Sequence, residues 1–139
     1  MEAMIKILLV EDSKFLRLAT ERALTRAGYE ASSAIDGPEA LRLARETLPD
    51  LILLDMLLPK MTGPDVLKAL KSDPLTKAIP VVVMTGLSQK NAARLGKDGA
   101  IAFLEKGDLA LDKGPEKLLA MLKDILEKLP AERSRATTA

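Results

Sequence analysis

The sequence predicts an α/β fold: a doubly wound, five-stranded parallel sheet with helices on both faces. Three observations predict it. Strand-length apolar runs alternate with segments of helical periodicity from end to end of the 139 residues. Leu51-Ile52-Leu53-Leu54 and Val81-Val82-Val83-Met84 are apolar at consecutive positions, as strands are when helices cover both sheet faces. Five such strand–helix units in a chain of this length imply parallel strands joined by right-handed crossovers.

The elements follow in order. Met4 to Val10 is an apolar run of strand length that stops at Glu11-Asp12. Ser13 can cap the helix that follows. Phe15, Leu16, Ala19, Ala23, Leu24 and Ala27 recur there at helical spacing, and Gly28 ends the segment. Tyr29 to Ile35 reads as a short second strand. Asp36-Gly37-Pro38 is a turn, and Pro38 suits a first helical position. Ala40, Leu41, Ala44 and Leu48 carry that helix to Thr47, before Pro49.

Asp50 to Asp55 is the third strand and again ends at an acid. Residues 57–63 form a loop, and Pro64 to Lys71 a helix with Val66, Leu67 and Leu70 inward. Pro80 to Thr85 is the fourth strand. Ser88 to Lys97 is a polar helix. Ala100 to Leu104 is the fifth strand, ending near Lys106. Pro115 to Leu129 is a strong final helix with a stripe of Leu118, Leu122, Ile125 and Leu129, closed by Pro130. Residues 1–129 are therefore expected to form one domain, and 130–139 a flexible tail or linker stub.

Composition narrows the chemistry. Cysteine and histidine are both absent, which excludes disulfides, Cys/His zinc sites, thiol nucleophiles and a Ser-His-Asp triad. Carboxylate chemistry, hard metals and phosphate remain. A formal net charge of +1 and 2% aromatic residues give no footprint for direct nucleic-acid binding. No apolar run is long enough to span a bilayer and no signal peptide is visible, so a cytoplasmic protein without membrane partners is expected.

The polar residues gather at strand ends. The first strand ends in Glu11-Asp12, the third in Asp55 and the fourth in Thr85, and Lys106 follows the fifth. Ligand sites in open α/β sheets lie at the carboxyl ends of strands, near the switch in strand order. With a flavodoxin-like order 2-1-3-4-5, the first and third strands are neighbours, so Glu11, Asp12 and Asp55 would share one crevice. Three carboxylates that close repel one another, and a hard divalent cation such as Mg²⁺ offsets the repulsion best. Lys106 adds a compact positive charge and Thr85 a hydroxyl donor, completing a phosphoryl-transfer site with a carboxylate nucleophile. Taken singly, Glu11-Asp12 reads as a solvated cap, Asp55 as a turn residue, Lys106 as a surface lysine, Thr85 as a buried hydroxyl and Phe103 as core. Together, in this order at one sheet edge, they read as a site.

These residues resemble the receiver domains of two-component response regulators, the CheY-like family, over about residues 4–129. The matching stretches are Val10-Glu11-Asp12-Ser13, Asp55-Met56-Leu57-Leu58-Pro59-Lys60-Met61-Thr62-Gly63, Ile79 to Gly86, and Gly99 to Lys106. The resemblance implies that Asp55 is the phosphoacceptor and Asp12 a direct Mg²⁺ ligand. It implies that Glu11 acts through a metal-bound water and that the Leu57 backbone carbonyl is a further ligand. Thr85 and Lys106 would hold the phosphoryl group. Phe103 matches an aromatic switch position that couples the phosphate to the surface of the fourth helix, fifth strand and fifth helix. The implied donor is a sensor histidine kinase or histidine phosphotransfer protein, and the implied receiver of the signal a downstream output protein or domain. Dimerisation through the fourth and fifth helices is left open. The domain would be a switch rather than an enzyme.

The chain departs from the family at Gly107, where proline is usual, and in a longer segment 107–114. Leu57 and Leu87 occupy positions that tune loss of the phosphoryl group, and two apolar side chains there imply a long-lived phosphorylated state. A pseudo-receiver, keeping the fold as an interaction module without phosphorylation, is the alternative. An aspartate-nucleophile phosphatase would need a second Asp at position 57, and a dinucleotide-binding enzyme a G-x-G-x-x-G after the first strand; neither is present.

Overall fold

Side chains alternate across a strand, so a sheet buried on both sides needs two separate apolar sets. The chain supplies both. The computed structural model describes residues 4–56, 58–85, 99–105 and 116–129, with Thr85 described by its backbone. The strands are β1 (Lys6–Val10), β2 (Glu30–Ala34), β3 (Leu51–Asp55), β4 (Val81–Thr85) and β5 (Ala102–Glu105). They form one parallel sheet in the order β2-β1-β3-β4-β5. The helices among the described residues are α1 (Lys14–Arg26), α2 (Gly37–Thr47), α3 (Gly63–Ser72) and α4 (Glu116–Lys128).

One face of the sheet presents Leu8, Val10, Ile52, Leu54, Val81 and Val83, which pack with Ala40 and Ala44 of α2 and Val66, Leu67 and Leu70 of α3. The other presents Ile7, Leu9, Leu51, Leu53, Val82, Met84 and Leu104, which pack with Leu24 of α1 and Leu118 and Leu122 of α4. The odd–even split explains the unbroken apolar runs: each residue of Leu51–Leu54 is fully buried, on alternating sides. Burying one such leucine stabilises the fold by about 1.5–3 kcal/mol. The polar strand β2, Glu-Ala-Ser-Ser-Ala, occupies an edge, where fewer of its side chains need burial.

Local signals set the ends. Ser13 Oγ accepts the Leu16 N–H at 3.4 Å and caps α1; Asp36 caps α2 by accepting the Glu39 N–H at 2.9 Å. Gly28 lies at φ +97°, in the left-handed region that glycine enters without strain. Three of the apolar positions named for the first two helices are exposed: Phe15, Ala27 and Leu48. Phe15 is 70% exposed, and Thr20 is buried instead. At about 100° per residue, Leu16, Thr20, Ala23 and Leu24 share one face and Phe15 falls on its flank. Leu48 is also exposed: it is the left-handed C-cap of α2 at φ 46°, where Pro49 blocks further helix. The sequence-predicted helix 88–97 and tail 130–139 lie outside the described residues. None of the described helices is long and apolar enough to cross a membrane.

Candidate functional site

Parallel strands all end at one edge of the sheet, and the register decides which ends are neighbours. Val10 pairs with Leu54, which sets Glu11 level with Asp55 on the adjacent strand. Asp55 pairs with Met84, so the backbone of Thr85 stands one step further along β4. Thr85 in turn pairs with Glu105, the residue before Lys106. The sheet thereby brings Glu11, Asp12, Asp55 and the Thr85 backbone to one edge. Lys106 and Leu57 lie outside the described residues, as do Leu87, Gly107 and the segment 107–114.

Glu11 and Asp55 are fully buried, whereas Asp12 is exposed. One carboxylate oxygen from each lies within 4.8 Å of the others. At that spacing two carboxylates repel by about 1 kcal/mol in water and by about 3–4 kcal/mol at the effective dielectric near a protein surface. An all-oxygen, triply acidic donor set of this kind fits a hard divalent cation and suits none of the softer metals that prefer sulfur or imidazole. The cluster could therefore hold a metal such as Mg²⁺.

The loop carrying the acid pair is tightly held. The Glu11 N–H continues the sheet by donating to the Ala34 carbonyl at 3.0 Å. The Ser13 N–H donates to Glu11 Oε2 at 3.0 Å, which turns the Glu11 side chain back along its own loop. The Arg17 guanidinium, one turn into α1, donates to the carbonyls of Glu11 at 3.1 Å and Asp12 at 3.3 Å.

The loop after Asp55 is held by close packing. The Gly63 N–H donates to the Met56 carbonyl at 3.1 Å. A Cβ on Gly63 would stand 2.4 Å from Met56 Cα and 2.9 Å from the Asp55 carbonyl oxygen, so only glycine fits. A Cβ on Gly37 would meet Met61 Cβ at 2.7 Å, so the start of α2 also has to be bare where the loop lies against it. Lys60 takes a left-handed φ of 70° and places its Nζ 3.2 Å from Asp36 Oδ2. The Glu39 N–H foremost, and Lys60 after it, hold the Asp36 carboxyl below the usual carboxylate range against the opposing effect of burial.

Phe103 is half-buried against the cluster on the α2–α3 side and pairs with Val83 in the sheet. Arg17, Asp36 and Lys60 were not among the residues read as functional. Asp36 carried a usable signal, since Asp-x-x-Glu before an apolar helix is a capping pattern.

Similarity to known proteins agrees with this geometry. A family model described as the response regulator receiver domain matches residues 7–123. The chain is 44% identical over 102 residues to the response regulator PleD of Caulobacter vibrioides, a stretch that is 73% of this chain but only 22% of PleD. Among solved structures, the chemotaxis response regulator CheY4 of Vibrio cholerae superimposes with a TM-score of 0.79 and 32% identity, covering 88% of this chain and 99% of CheY4. The phosphorylated cyanobacterial phytochrome response regulator RcpA gives 0.71 and 33% identity, covering 90% and 93%.

Proposed function

The chain belongs to the response regulator receiver domain family, and from that membership we propose that it is a phosphoryl-accepting switch of two-component signalling with Asp55 as the acceptor. One observation carries the reading: oxygens of Glu11, Asp12 and Asp55 lie within 4.8 Å of one another at the ends of adjacent parallel strands. RcpA, a similar fold, has been solved as a phosphorylated protein, which supports the same chemistry here.

In the proposed reaction a carboxylate oxygen of Asp55 bonds to phosphorus as the P–N bond of a phosphohistidine breaks. The released imidazole nitrogen takes up a proton. The donor is a sensor histidine kinase or a phosphotransfer protein, since this chain has no histidine. Asp12 and Asp55, with the Leu57 carbonyl and, through water, Glu11, would hold Mg²⁺, which would supply positive charge for the incoming phosphoryl oxygens. Thr85 and Lys106 bind those oxygens. Phe103 follows Thr85 inward, and the change is read by an output partner on the surface of segment 88–97, β5 and α4. The domain acts in the cytoplasm as a switch, without turnover on a separate substrate.

Incubation with Mg²⁺ and acetyl phosphate, followed by intact mass measurement, tests the reading. One added phosphoryl group in the wild type and none in Asp55→Asn is the expected result. No gain in the wild type, or an equal gain in Asp55→Asn, overturns it.

A further inference from the structure

The three acids of the site are restrained very differently. Glu11 is buried and its Oε2 is held by the Ser13 N–H; Asp55 is buried at the end of a central strand. Asp12 is exposed, and its carboxylate receives no hydrogen bond from any described residue. Its position therefore depends on its backbone. That backbone leaves the sheet after Glu11, whose N–H makes the last bond to β2, and has only Asp12 and Ser13 before α1 begins.

One side chain bridges this gap. Arg17 Nη1 donates to the two consecutive carbonyls of Glu11 and Asp12. Arg17 itself is half-buried and anchored in α1, where its own N–H donates to the Ser13 carbonyl at 2.8 Å. The guanidinium thus fixes both peptide planes that flank Asp12 Cα to a rigid helix. Charge-assisted bonds of this kind are about twice as strong as neutral ones. Arg17 also puts a permanent positive charge beside a loop bearing two of three crowded carboxylates.

We infer that Arg17 is a positioning residue for the cation site, setting the backbone from which Asp12 reaches the metal. The inference rests on the receiver reading of the acidic cluster. Outer partners that orient metal ligands typically contribute about 10–100-fold in metal affinity. Arg17→Met keeps the apolar stem and removes the donors. Its affinity for Mn²⁺, read by loss of the free-ion paramagnetic resonance signal, should fall by about tenfold or more. Arg17→Lys, which keeps a positive charge and N–H donors on a shorter stem, should recover part of the loss. Arg22→Met, which removes an exposed positive charge from the same helix, should bind Mn²⁺ like the wild type. In acetyl phosphate labelling, the Mg²⁺ concentration for half-maximal rate should rise in Arg17→Met while the rate at saturating Mg²⁺ stays near wild type.

Wild-type binding with unchanged affinity in Arg17→Met overturns the role of Arg17 and leaves the receiver reading standing. Equal losses in Arg17→Met and Arg22→Met also overturn it, because they make the effect one of net charge. A wild type that binds no Mn²⁺ removes the cation site itself, and the inference with it.

Discussion

Lys60 reaches back from the loop that follows Asp55 to Asp36 at the start of α2, with Nζ 3.2 Å from Oδ2. The contact ties the connection after β3 to the connection after β2, on the same edge of the sheet as the acidic cluster. The pair is mostly exposed on the lysine side, so its worth lies in geometry more than in stability. Asp36 does a second job by capping α2.

These two roles of Asp36 separate by substitution and by pH. Asp36→Ala should lower the urea midpoint more than Asp36→Asn, because asparagine still caps a helix. The Asp36 carboxyl is held below its unfolded value, so the stability it contributes as an anion is fully present above about pH 3.9 and lost as pH falls through the lower folded value. Wild type and Asp36→Asn should therefore converge in stability on acidification across that window. A gap that stays constant to the lowest pH at which both fold would contradict the assignment.

Gly63 has no room for a methyl group beside Met56 and the Asp55 carbonyl. Gly63→Ala must shift the loop or the start of α3, and overpacking of this kind costs about 1–3 kcal/mol. Because the atoms it strikes belong to Asp55 and its neighbour, acetyl phosphate labelling should slow even where the protein remains folded. Urea unfolding and labelling rate, measured together, check both halves.

Crowded carboxylates make cation binding and stability interdependent. Asp12→Asn removes one like charge from the cluster, and in EDTA it should be more stable than the wild type by about 1 kcal/mol. Added Mg²⁺ should stabilise the wild type by an amount that grows with the logarithm of its concentration above the dissociation constant, and leave the variant little changed. Thermal melts with EDTA and with Mg²⁺ read this directly; a wild type indifferent to Mg²⁺ would count against the cluster as a cation site.

Leu57 and Leu87 offer no hydrogen bond to orient a water for attack on phospho-Asp55. The phosphorylated state should persist for minutes rather than seconds at neutral pH, and Leu57→Asn should shorten it. Decay followed by intact mass after removal of the phosphodonor checks the lifetime. A lifetime of the label shorter than a minute in the wild type would refute the proposal.

The sheet was legible because strands buried on both faces leave an unmistakable pattern: Leu51–Leu54 and Val81–Met84 tolerate no polar residue until the strand ends. The acids were legible for the same reason, since Glu11 and Asp55 interrupt apolar runs at the point where strands leave the core. The helix start at Ser13 followed known capping chemistry. The supporting contacts were not legible. Arg17 reads as one more charge on an amphipathic helix, because sequence spacing does not say which carbonyls a long side chain will meet. Lys60 adopts a left-handed backbone that nothing in its side chain requests. Phe15 belongs to the apolar set of α1, yet the rotation of roughly 100° per residue turns it away from Leu16 and into solvent. Three-dimensional closure of loops, rather than local propensity, decides all of these.

The central claim is that Asp55 itself carries the phosphoryl group. Borohydride reduction of the protein after labelling with acetyl phosphate and Mg²⁺ converts an aspartyl phosphate to homoserine, and peptide sequencing by mass spectrometry then locates it. Homoserine at position 55, absent when Mg²⁺ is withheld, is the predicted result. Homoserine at another acid, or none after full exposure to the phosphodonor, would contradict the account.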